Sequence, residues 1–225
     1  MKDVNRNALI GLLRMVALLP ALIFIPAWTL QYWQAWVCLC AFFVPVAIIT
    51  AYLMRANPAL LARRLKAGAK AETKKTQKMI QSFAAILFLA IFVVPTLDHR
   101  FRWSSVPVAV ELGGDVLIVS GFAVVLWVFT VNSFTSGVIE VNPEQKVITS
   151  GPYAIVRHPM YLGSLVMLLG IPLSLGSWWG LTAVALMTTV IVLRLLDEEK
   201  FLRENLMGYK EYAKRVHHRL APFVW

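Results

Sequence analysis

The chain has 225 residues, 59% of them hydrophobic and 15% charged, with a formal net charge of +10 and a mean hydropathy of +0.67. A soluble domain of this size carries about 25% charged residues, so the composition excludes an ordinary soluble fold. The positive balance calls for no nucleic acid, because anionic lipid at a membrane surface accounts for it.

Lys2 and Arg6 precede an apolar stretch that reaches Leu30 without a small-x-small cleavage pattern. A retained first helix is the better reading than a signal peptide. Arg14, one or two turns into that span, can snorkel to the interface. Apolar runs predict six spans, at about residues 9–30, 35–54, 79–97, 107–131, 159–175 and 178–194. The single-span runs are close to the ~20 residues a helix needs to cross hydrocarbon. The predicted fold is therefore all-α, a polytopic transmembrane helical bundle.

Cys38 and Cys40 lie within the second span and face different sides of it, so they read as small packing residues. The four histidines show no metal-ligand spacing, and no metal site is expected. The connection at 55–78 holds Arg63, Arg64, Lys66, Lys70, Lys74, Lys75 and Lys78, which predicts a solvated, lipid-facing helix or linker. Glu111 and Asp115, four apart on one helical face near the outer end of the fourth span, read as interfacially solvated. The last two spans are short, joined by Gly176-Ser177-Trp178-Trp179-Gly180, a tight turn with interfacial tryptophans.

With the N-terminus inside, 20 of the 22 basic residues fall on the inner side, and only Arg100 and Arg102 fall outside. The positive-inside rule then places both termini in the cytoplasm, for a bacterial chain at the inner membrane. Beyond Arg194 both charge signs mix with Phe201, Leu202, Leu206, Tyr209, Tyr212 and Val216. That pattern predicts an amphipathic tail of one or two helices lying on the cytoplasmic face and closing a site.

Chemistry concentrates at the two ends of the last hairpin. Gly151-Pro152-Tyr153 and Arg157-His158-Pro159-Met160-Tyr161 stand at its entry, and Arg194, Asp197, Glu198 and Glu199 at its exit. Charged groups clustered at a bilayer edge mark function, and a hairpin returns both clusters to one side. Pro159 suits the first helical position with His158 as cap, so the helix start offers an anion site beside the Arg157 guanidinium. Tyr153 brings an aromatic surface, and Arg194 and Glu198 share one face of the second arm.

The segment Gln145-Lys146-Val147-Ile148-Thr149-Ser150-Gly151-Pro152-Tyr153, followed by Arg157-His158-Pro159-Met160-Tyr161-Leu162-Gly163, resembles the isoprenylcysteine carboxyl methyltransferase family. Glu198-Glu199 with Leu202, Gly208-Tyr209, Tyr212, Arg219 and Pro222 extends the likeness, and phospholipid methyltransferases are similar here. The resemblance implies S-adenosylmethionine as cofactor. By motif position, Gln145, Val147, Ile148, Tyr153, His158, Pro159, Met160, Tyr161 and Glu198 would line its cleft. Arg157 and Glu199 are further candidates, and Arg194 matches the position that faces the methyl acceptor. Gln145 stands where prenylcysteine enzymes often carry His. The division implied is 1–131, transmembrane helices with the basic connection 55–78, and 132–225, a methyltransferase core.

The expected partner is a lipophilic small molecule or lipid taken from the membrane. An arginine at the acceptor position favours a carboxylate or thiolate nucleophile, which needs no general base. An amine would have to lose a proton, with Glu198 or Glu199 assisting. Two other functions stay open, an NADPH-dependent sterol-type reductase and a non-enzymatic scaffold or transporter.

Overall fold

The computed structural model describes residues 2–222 and residue 225. Among the described residues the chain forms α1 (Lys2–Ala27), α2 (Trp33–Ala56), α3 (Pro58–Leu65), α4 (Lys75–Phe101), α5 (Val108–Val131), α6 (Pro159–Ser174), α7 (Gly180–Asn205) and α8 (Tyr209–Arg215). Helices α1, α2, α4, α5 and α7 are long and apolar enough to cross a membrane, and α6 is a shorter apolar helix. With α6 they make the six predicted spans, and the chain is a multi-pass membrane protein.

The hairpin that carries the motif is seated by glycine. In α5 and α6, Gly114 and Gly121 face Gly170 and Gly163, two glycine pairs at matching spacing. A Cβ on Gly121 would lie 2.5 Å from the Gly163 carbonyl oxygen, and one on Gly163 would lie 2.9 Å from the Gly121 oxygen. Without a hydrophobic driving force between helices in lipid, such close backbone approach supplies the packing. It fixes the start of α6 against the end of α5, where the cleft opens.

The opposite end of the bundle is tied by polar contacts. Asp98 accepts from the Ser104 backbone N–H at 2.8 Å and from the Ser177 hydroxyl at 2.5 Å. The Tyr32 ring stacks on His99 with centroids 3.6 Å apart, and its hydroxyl donates to the Leu175 carbonyl. Glu111 and Asp115 do share a face, but the expectation that water solvates them is overturned. Glu111 is buried and accepts from Gln34, while Asp115 accepts from Ser174. The reason is that the end of α6 and the Gly176 turn pack on this face of α5.

Two further expectations are corrected. The segment 55–78 is solvated only in part: its five lysines are exposed, as expected, but it also packs into the bundle. Asn57 caps α3 by accepting from the Leu60 N–H at 3.0 Å, and Pro58 occupies the first turn. Leu60 and Leu61 are buried in the main core, and Glu72 and Gln77 are buried as well. The last span does not stop at Arg194, since α7 continues to Asn205. Its charged turn stays helical because each charge finds a partner in neighbouring protein: Glu72 for Arg194, Gln77 for Asp197, Tyr161 for Glu198. The amphipathic tail is therefore the end of α7 plus α8. Gly208, at φ +84°, reverses the chain between them.

Leu206, Tyr209, Tyr212 and Ala213 form a small second core that packs on Val141, Val147, Tyr153, Leu202 and Val216. The tail then clamps the entry to α6: the Arg157 and His158 backbone N–H groups donate to the His218 and Arg219 carbonyls, each at 2.9 Å. The tail thus braces the entry to α6 from behind, and of the described residues beyond Glu198 only Leu202 borders the cleft.

Candidate active site

A cleft of about 390 Å³ opens between the entry of α6, the second half of α7 and the connection after α5. This lies within the roughly 300–1,000 Å³ of small-molecule sites. Of the residues singled out in the sequence, Gln145, Tyr153, Arg157, His158, Pro159, Met160, Tyr161, Arg194 and Glu198 all border it. Three do not. Val147 packs into the second core, Ile148 is half-buried away from the cleft, and Glu199 turns to the other side of α7.

Local geometry explains each placement. His158 caps α6 and Pro159 begins it, as its fixed φ permits. Gly151, at φ +60°, starts a 3₁₀ turn through Ala154 that swings Tyr153 into the wall. The Tyr153 hydroxyl accepts from the Asn132 amide at 2.7 Å, and the Tyr212 hydroxyl donates to the Tyr153 carbonyl at 2.8 Å. Burial pushes the Tyr153 hydroxyl up to about 12, so it is a neutral donor at physiological pH. Tyr161, fully within the wall, donates to Glu198 at 2.5 Å.

The adjacent carboxylates diverge. Glu199 is 3% exposed and meets three arginines: Arg157 at 2.9 Å, Arg203 at 2.6 Å and Arg219 at 2.8 Å. Glu198, rotated by ~100°, faces the cleft with Tyr161 as its hydrogen-bond donor. Arg157 thus borders the cleft while its charge is spent on Glu199, and burial lowers its pKa against the pull of that carboxylate. Arg194 likewise reaches the cleft already matched. It pairs with Glu72 at 2.8 Å and donates to Gln77 at 2.7 Å and to the Gly137 carbonyl at 3.1 Å. It makes no ion pair with Glu198, its neighbour by spacing.

The cleft also holds residues that the sequence did not single out. Arg64 reaches in from α3, Asn132 and Ser136 from the connection after α5, and Gln81 and Ala84 from α4. Met187 and Ile191 continue it as an apolar wall along α7. Arg64 was one of seven basic residues in a charged run, and nothing local marked it out. The Asn57-Pro58 helix start was the legible signal that its segment is structured.

The wall is polar in a way that suits a polar ligand. Thr135 Oγ1, Arg157 Nε and His158 Nε2 are buried without a hydrogen-bond partner, although all three residues border the cleft. His158 Nε2 stands 3.9 Å from Glu199, too far for a hydrogen bond. These are three of nine such atoms among the described residues, and buried polar atoms are normally satisfied, so those at the cleft leave room for a ligand or ordered water. With Glu198 as an acceptor and Tyr153 as an aromatic face, these donors fit a zwitterionic nucleoside such as S-adenosylmethionine.

Comparison with known proteins bears out the family resemblance. Residues 110–208 match the phospholipid methyltransferase family, a stretch from the first turn of α5 to the turn before α8. Two rice proteins, each described as a probable protein-S-isoprenylcysteine O-methyltransferase (Oryza sativa subsp. indica and japonica), are 33% identical over 95 residues. That alignment covers 41% of this chain and 49% of theirs. A Delta(14)-sterol reductase from Mus musculus is 34% identical over 84 residues, 36% of this chain and 20% of the reductase. The chain thus spans about half the length of the rice relatives and a fifth of the mouse protein. The matched stretch contains every cleft residue contributed by α6 and α7.

Proposed function

We propose that the protein is an S-adenosylmethionine-dependent methyltransferase acting on a lipophilic, anionic acceptor at the membrane interface. The observation that carries the reading is the cleft itself. Nine motif residues, from the connection after α5, the start of α6 and the second half of α7, border one cavity within a segment that matches a methyltransferase family. Tyr153, His158, Met160, Tyr161 and Glu198 would hold the cofactor, with Gln145 at the rim. Val147 would support that wall from behind, through the second core, with Ile148 next to it in the chain. Glu199 would act from outside the cleft, by fixing Arg157.

When bound, S-adenosylmethionine supplies an activated methyl group that an anionic nucleophile displaces without general-base help. The chain's own part is positioning and exclusion of water, which can be worth effective molarities of about 10⁵–10⁸ M. Glu198 and Tyr161 fix one wall by their short bond. Arg194, held by Glu72 and Gln77, presents a rigid guanidinium on the acceptor side. Ala84, Met187 and Ile191 offer the apolar surface that a lipid tail needs, with entry from the bilayer. Both termini and the cleft would face the cytoplasm, at the plasma membrane of a bacterial cell.

The likeness to the mouse sterol reductase favours a second reading, reduction by a nicotinamide cofactor. Calorimetric titration of detergent-purified protein with S-adenosylhomocysteine and with NADPH separates the two. Binding of S-adenosylhomocysteine alone is expected. NADPH binding without it would establish the reductase reading, and binding of neither would leave a scaffold or transporter.

A further inference from the structure

Three arginines line the cleft, and two of them are already matched by carboxylates. Arg157 is matched by Glu199 and Arg194 by Glu72. Arg63 donates to the Ser133 carbonyl and does not border the cavity. Arg64 differs. It lines the cleft, yet among the described residues no carboxylate lies within ion-pairing distance of it. One guanidinium nitrogen donates to the Ser136 carbonyl at 2.7 Å, and the central carbon Cζ sits over the Phe129 ring at 5.6 Å from its centroid. Its remaining nitrogens make no hydrogen bond within the protein, and none is enclosed. Burial lowers its pKa, the mark of a cation taken from water without full compensation.

A guanidinium placed over an aromatic ring, anchored at one nitrogen and open at the others, can offer its remaining donors to a planar anion. Glu198, which lines the same cleft, offsets part of that charge through space but is hydrogen-bonded to Tyr161 and makes no ion pair with Arg64. Arg64 also belongs to a cleft whose wall continues through Ala84, Met187 and Ile191, where an apolar chain would run.

We propose that Arg64, delivered by α3, is the seat for the anionic head of the acceptor and makes the site prefer acids to amines and alcohols of equal chain length. The inference rests on the methyltransferase reading and assigns its acceptor chemistry to Arg64 rather than to Arg194, whose charge is matched by Glu72.

The test uses detergent-purified protein and three probes of one chain length, dodecanoate, dodecanol and dodecylamine, titrated with and without S-adenosylhomocysteine. Wild type should bind dodecanoate about tenfold more tightly than either of the others. Arg64→Gln should bring all three within about twofold, with S-adenosylhomocysteine affinity unchanged. Arg64→Lys keeps the charge and guards against misfolding. It should weaken dodecanoate about threefold or more and leave dodecanol alone, because an ammonium lacks the fork. Unchanged discrimination in either variant overturns the proposal, as does a wild type that does not discriminate. Loss of S-adenosylhomocysteine affinity with discrimination intact also overturns it, by assigning Arg64 to the donor's carboxylate. A wild type that binds no S-adenosylhomocysteine but sorts the probes through Arg64 refutes the methyltransferase reading and keeps the anion seat.

Discussion

Glu198 and Glu199 are neighbours in sequence and occupy two unlike regions. Around Glu199, three arginines from the end of α5's long connection, α7 and the tail converge on one buried carboxylate, and the tail's backbone closes over them. Around Glu198, one tyrosine hydroxyl and an open cleft leave the carboxylate available. The same residue type, one helical step apart, is saturated by protein on one side of α7 and left facing an open cleft on the other. What separates them is how many protein partners saturate the charge.

The contrast is broken most forcefully at Glu199. Glu199→Ala leaves Arg157, with a side chain 4% exposed, buried and unpaired. Removing one partner of a buried ion pair costs about 3–5 kcal/mol. Thermal unfolding in detergent should show a large loss of stability, and bound S-adenosylhomocysteine should fall with the folded fraction. A Glu199→Ala variant as stable as wild type would remove the knot from any structural role.

Glu198→Gln should do the reverse. Melting temperature should hold, because Tyr161 still finds an acceptor, while S-adenosylhomocysteine affinity drops about tenfold, or 1.4 kcal/mol, by calorimetry. Equal affinity in a folded preparation would take Glu198 out of the cofactor wall.

Tyr161→Phe sharpens the same side. It deletes the donor to Glu198 and leaves the carboxylate in place, so a loss of about 1–1.5 kcal/mol is expected, read as a several-fold weaker S-adenosylhomocysteine affinity. If the effect appears only in melting temperature, the pair is part of the scaffold and the division between the two carboxylates is less sharp.

The smallest effect belongs to Arg203→Ala. This arginine meets Glu199 across one helical turn and is 41% exposed, whereas Arg157 is enclosed. Glu199 is buried but keeps Arg157 and Arg219 when this half-exposed partner is lost, so the expected cost is about 0–1 kcal/mol. Urea or thermal unfolding should show a shift near the limit of detection. A loss comparable to that of Glu199→Ala would mean that the knot acts as an indivisible unit.

The sequence by itself determined the spans, because hydrocarbon imposes a length and a lack of charge that a linear string displays directly. It also determined the start of α6 at His158-Pro159 and the meeting of the two hairpin arms. Both follow from local rules: a proline's fixed φ, a helix of known rise, a turn that returns the chain to one side. Nine of its twelve candidate residues border the cleft for that reason. Only the tertiary structure decided how the charges are spent. Spacing pairs Arg194 with Glu198, yet Glu72, from a run that reads as a solvated linker, claims Arg194. Glu111 and Asp115 read as solvated, yet the Gly176 turn covers them. Arg64 was one cation among seven until α3 folded back over the bundle and left it facing the cleft without a carboxylate. A side chain's charge is written in the sequence. Its compensation depends on which distant segment packs against it, and that is settled by the burial of Leu60 and Leu61 and by the glycine seam of α5 and α6.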